Sequence, residues 1–94
     1  MNSEATVVRF SPAPPLDVQQ GLLGFVVIEV GGAIAIEGVA VRRARGGRVY
    51  LAFPTRELRC GGRLHIVRPL TADARRDIER QVIDALRAQG RIAS

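Results

Sequence analysis

Gly21 to Val30 reads GLLGFVVIEV, Gly31-Gly32 follows, and Ala33 to Arg43 reads AIAIEGVAVRR. Two apolar, β-branched runs around a Gly-Gly pair predict a hairpin, because both glycines tolerate the positive φ that a tight turn demands. A two-residue turn sets Glu29 opposite Ile34 and Glu37 opposite Val26. The two carboxylates then fall on opposite faces, unless the region of Gly38 shifts the register. Gly38 stands inside the return strand, where glycine marks a bulge or a strong bend.

Upstream, Met1 to Ala5 reads as a frayed start and Thr6 to Phe10 (TVVRF) as a short first or edge strand. Ser11-Pro12-Ala13-Pro14-Pro15 stops regular structure, since proline removes a donor and holds φ near polyproline II values. Leu16 to Gln20 continues this arm either as a loop or as one helical turn with Asp17 near its start. Downstream, Ala44-Arg45-Gly46-Gly47 supplies a second turn. Arg48 to Phe53 (RVYLAF) places Val49, Leu51 and Phe53 on one face and Tyr50 and Ala52 on the other. Pro54 ends that strand. Thr55 to Gly62 (TRELRCGG) reads as a polar loop closed by glycine, and Arg63 to Val67 (RLHIV) as a short last strand.

After Pro69, Thr71 is placed to cap a helix, with Asp73 and Asp77 in its first turns, where the helix dipole favours negative charge. Ala74, Ile78, Val82, Ala85 and Leu86 form an apolar stripe at helical spacing with Ile83 beside it, and Gly90 fits a terminator. The expected fold class is α+β: a small antiparallel sheet, a meander of four to five strands, with one C-terminal amphipathic helix covering one face. Residues 1–20 form an N-terminal strand and Pro-rich arm, and residues 21–94 a single domain.

The 94 residues are 47% hydrophobic, which indicates a folded chain with one modest core. So small a core favours pairing with a second copy. No apolar run approaches the ~20 residues needed to span a bilayer, and the first ten residues lack the basic-then-apolar layout of a signal peptide. The single cysteine, Cys60, excludes an internal disulfide and suits a reducing compartment, so a cytoplasmic location is expected.

Catalysis requires groups that converge, and the inventory is thin. Cys60 and His65 flank Gly61-Gly62, but a dyad needs both side chains to meet, with a third group to orient them. One Cys and one His fall short of a four-ligand zinc site. The Gly-Gly pairs fit no phosphate-loop pattern and read as turns. No catalytic residue, metal ligand, cofactor or small-molecule substrate is therefore expected.

All 14 basic residues are arginine, and the net charge is +5. Along the helix, Arg75 can meet Glu79, and Asp84 lies within reach of Arg80 and Arg87, so Arg75, Arg76, Arg80, Arg87 and Arg91 read mainly as a solvated face. The stretch before it differs. Arg42, Arg43, Arg45, Arg48, Arg56, Arg59, Arg63 and Arg68 share their segment with a single acid, Glu57. An ordinary surface mixes signs more evenly, whereas an excess of guanidinium forks suits phosphates. Tyr50 and Phe53 can stack on bases where they are exposed, although the alternation places Phe53 with the core.

The run GLLGFVVIEVGGAIAIEGVAVRR, a Gly turn, GRVYLAFPTRE, a Gly-containing loop and HIVRPLTADARRDIERQV together resemble the stage V sporulation protein G (SpoVG) family. The shared pattern is a hairpin running into a Gly turn, then a strand closing in Phe53-Pro54-Thr55-Arg56. A loop, a short strand ending before Pro69-Leu70 and an amphipathic helix complete it. The resemblance covers roughly Gly21 to Gln89. It implies a SpoVG-like domain over residues 21–94, a homodimer, and a regulator that binds DNA and in some members RNA, with roles in septation and sporulation. It adds Arg75 and Arg76 to the candidate contacts and points again to Arg56, Arg59 and Arg68. The Pro-rich arm, Leu58, Cys60 and the abundance of arginine depart from the family pattern. The competing expectation is a protein-interaction module whose arginines meet an acidic protein partner without nucleic acid.

Overall fold

The computed structural model describes residues 4–93. Strands β1 (Ala5–Pro12), β2 (Leu22–Val30), β3 (Ile34–Arg43) and β4 (Val49–Ala52) form one antiparallel sheet in the order β1-β2-β3-β4. Helix α1 (Pro15–Gln19) joins β1 to β2, a separate two-stranded sheet is made by β5 (Thr55–Glu57) and β6 (Arg63–His65), and α2 (Ala72–Ala88) closes the chain. This is the expected α+β meander with one long C-terminal helix. The last strand departs from expectation: it pairs with Thr55–Glu57, where the sequence predicts a loop, instead of extending the main sheet.

Of the frayed start expected over Met1 to Ala5, Met1–Ser3 lie outside the described residues, and Ala5 already opens β1. The strand runs on through Pro12, which pairs with Gly24; β1 is an edge strand, so the missing N–H costs no ladder bond. The Pro-rich arm then makes the helical turn, not the loop.

The hairpin between β2 and β3 forms where expected but in a different register. Val30 faces Ile34 and Glu29 faces Ala35, so the turn holds Gly31, Gly32 and Ala33, with both glycines at positive φ. Further along, Ile28 faces Ile36 while Val26 faces Val39, leaving Glu37 and Gly38 opposite Val27. This is the bulge that Gly38 foretold, with φ of 74°. Ile28 and Ile36 point into the core, so Glu29 and Glu37 both point to the other face, not to opposite faces. Arg9 of β1 approaches Glu37 at 3.9 Å.

Helix α2 covers one face only. Ile78, Val82, Ile83 and Leu86 pack on Phe10, Val26, Ile28, Val39, Val41, Val49 and Leu51. The Thr71 hydroxyl accepts the Ala74 N–H at 3.0 Å, as the N-cap reading requires. At the far end Gly90 adopts φ of 68°, and the Arg91 N–H returns to the Leu86 carbonyl, which carries Ile92 back onto the core. Gly24 also faces inward: a Cβ there would lie 2.7 Å from the Phe10 ring, so glycine is what lets β1 lay that ring over β2.

Three side chains of α2 fasten it to the edges of the sheet. The Leu51 N–H on the outer edge of β4 donates to a Glu79 carboxylate oxygen at 3.0 Å, and the Leu51 carbonyl accepts from Arg75 at 2.7 Å. On the opposite edge the Ala5 N–H donates to the Gln81 Oε1 at 2.9 Å. Unpaired edge groups are templates for foreign strands, and these contacts occupy them. No helix among the described residues is long and apolar enough to cross a membrane.

Candidate nucleic-acid interface

Apart from Arg9, which pairs with Glu37, the arginines fall into three sets, and the fold decides which keep an uncompensated charge. The first lies at the turn between β3 and β4. This turn is closed by the Ala44 N–H on the Arg48 carbonyl and the Gly47 N–H on the Ala44 carbonyl. Arg42 sits directly across from Tyr50, on the face that α2 leaves bare. Arg43 is fixed through its backbone, whose N–H donates to the Gly21 carbonyl at 2.7 Å. Its side chain borders two open clefts around α1, one shared with Arg45 and one with Arg91. Neither cleft is lined by an acid. Arg42, Arg43, Arg45 and Arg91 have no ion-pair partner among the described residues.

The second set is on the arm formed by β5 and β6. Arg56 faces Leu64 across the arm, Arg59 lies near its exposed tip, and Arg63 meets Glu57 at 3.8 Å. Arg68 follows β6 and is exposed. Turn and arm leave opposite ends of β4, whose four residues span about 13 Å at strand rise. The Arg42–Arg68 stretch, continuous in sequence, is therefore divided in space.

The third set is neutralised except for Arg87, which has no acid partner among the described residues. Glu79 is buried, and besides Leu51 it holds Arg75 and Arg48, each at 3.5 Å. Arg48 also lies 5.9 Å from the Tyr50 ring centre, and Arg75 5.7 Å from that of Phe53. Arg76 pairs with Asp73, and Arg80 pairs with Asp77 at 2.6 Å in place of Asp84. Arg87 turns to the Ala93 carbonyl. Of the sequence candidates, Arg48, Arg63, Arg75 and Arg76 thus have acid partners, while Arg42, Arg43, Arg45, Arg56, Arg59 and Arg68 do not.

By sequence Arg91 belongs with the helix arginines, but the Gly90 reversal carries it to a cleft it shares with Arg43. Glu79 escaped it as an anchor. Its position four residues before Ile83 and three before Val82 puts it at the margin of the apolar stripe, and that was the available signal. Phe53 is half-buried against the core and Tyr50 half-buried on the other face, as the alternation required. Cys60 and His65 are both exposed, the cysteine in the arm's tip and the histidine opposite Thr55, with no hydrogen bond between them.

Set beside known proteins, the chain matches no family model and no curated sequence.

Proposed function

We propose that this protein is a non-catalytic, nucleic-acid-binding regulator of the SpoVG type that holds DNA or RNA phosphates with arginine. The observation that carries this reading is the set of exposed arginines without acid partners, Arg43 and Arg45 at one end of β4 and Arg56, Arg59 and Arg68 at the other. Guanidinium groups left unneutralised on turns suit phosphate, which accepts two parallel N–H donors. The order of elements, a sheet meander followed by an arm and a covering helix, supports the SpoVG resemblance. An exposed lone thiol at Cys60 suits the cytoplasm.

The test is a fluorescence-anisotropy titration with short DNA and RNA at two salt concentrations. Binding at micromolar protein in low salt is expected, with affinity falling as salt rises because each phosphate contact releases counterions. Absence of binding, or indifference to salt, rejects the reading. Retention of an acidic protein from nuclease-treated lysate, without any nucleic-acid binding, would favour the interaction-module alternative.

The regulator is proposed to act as a homodimer joined through the arm. Leu64 and Ile66 stand two residues apart and are 52% and 60% exposed, and Leu58 and Leu70 are exposed nearby in sequence. Exposed apolar side chains on an arm suit an interaction surface. Sedimentation should find a dimer that Leu64→Glu combined with Ile66→Glu converts to monomer. A monomer in the parent protein would refute the arm as a dimer contact.

A further inference from the structure

Resting on the nucleic-acid reading, we propose that the strand is bound unpaired, with bases stacked on the bare face of the four-stranded sheet at Phe25 and Tyr50. Its phosphates are held by Arg42 and by Arg45 in the adjoining turn. Helix α2 covers the opposite face, and among the described residues no other element packs on this one. Phe25, Ala40 and Ala52 form one cross-strand row, and Arg42 and Tyr50 belong to the next row along. The two rings are therefore two strands and two residues apart, about 12 Å between Cα atoms at sheet spacing. Between them the side chains of Ala40 and Ala52 stay low. The result is a shallow floor with an aromatic ring at each of two corners.

Exposure and charge both point to a base as the occupant. Phe10 is buried and Phe53 half-buried against the core, but Phe25 is 45% exposed in the middle of a sheet. A planar base covers such a ring without a shaped pocket, and every base has a face to offer. The acids of this face, Glu29 and Glu37, lie towards the Gly31-Gly32 turn, and Glu37 is held by Arg9. The half that carries Phe25 and Tyr50 has Arg42 on it and Arg45 in the turn beside it, with no acid. A polyanion is thus admitted at one end only. No outward amide or carboxyl group stands between the rings to read base edges, so stacking should tolerate many sequences.

Tyr50 is the only tyrosine, and the chain has no tryptophan, so intrinsic fluorescence reports this site alone. The experiment compares a short single-stranded DNA, the matching RNA and the DNA duplex by anisotropy for the parent protein, Phe25→Ala and Tyr50→Ala, and by tyrosine quenching for the parent and Phe25→Ala, which keep Tyr50. Both single strands are expected to quench Tyr50 over the concentration range in which anisotropy rises, and each substitution to weaken binding about tenfold. Duplex should bind about tenfold more weakly than single strand. Phe25 is exposed, so its alanine variant should keep the parent melting curve. Equal binding of duplex and single strand, without quenching and unaffected by Phe25→Ala, overturns the platform while leaving phosphate binding intact. No binding of any nucleic acid overturns the underlying reading too. A dimer that Phe25→Ala dissociates would show this face to be a protein contact and would also overturn the proposal.

Discussion

Glu79→Ala is expected to destabilise the fold by about 2–3 kcal/mol, the cost of removing a charged acceptor from a buried donor. Among the described residues the Leu51 N–H has no other acceptor on that side of β4, because its partner strand β3 lies on the opposite side. Arg75 would keep its bond to the Leu51 carbonyl but lose the carboxylate. The Arg48 pair adds little, since that side chain is 68% exposed and its charge is screened. For a domain of this size the loss corresponds to a fall in Tm of roughly 10–20 °C. Glu79→Gln separates the contributions: its amide oxygen can still accept from Leu51, so a milder loss of about 1 kcal/mol is expected, reflecting the weaker neutral hydrogen bond. Thermal melts of the two variants decide it. If alanine and glutamine are equally mild, the carboxylate does not anchor the helix to the sheet edge.

Local chemistry was legible in the sequence wherever a residue's own conformation or a regular period determined the outcome. Gly38 announced its bulge, Thr71 and Gly90 bounded the helix, and the alternation in RVYLAF separated Leu51 from Tyr50. The hairpin was legible but its register was not. Two positive-φ glycines suit a two-residue turn, yet Ala33 joined them, and that slip of one residue brought Glu29 and Glu37 to one face. The arm was missed for a related reason: strands of three residues show no period, and every side chain in them is exposed. Long-range partners were the least accessible. Helical spacing paired Glu79 with Arg75, but nothing local revealed that Leu51, on a strand well before the helix, would complete the site. The same holds for the basic stretch, which is a sequence block that β4 splits in two.

Reversing Arg43 and Arg45 together to glutamate is expected to weaken nucleic-acid binding about a hundredfold at low salt and to lower the salt dependence by about two phosphate contacts. Neither side chain has an acid to release it from, so the whole change in charge is felt by the ligand. Arg76→Glu combined with Arg80→Glu makes the same change in net charge on α2, where Asp73 and Asp77 already neutralise both guanidinium groups. That pair should cost no more than about threefold, the scale of a screened, long-range effect. Anisotropy titrations of both double variants across a salt series, with circular dichroism to verify folding, make the comparison. Because net charge is matched, the difference between them measures location alone. Equal losses would mean that overall positive charge, and not the turn between β3 and β4, governs binding, and the turn would no longer belong to the site.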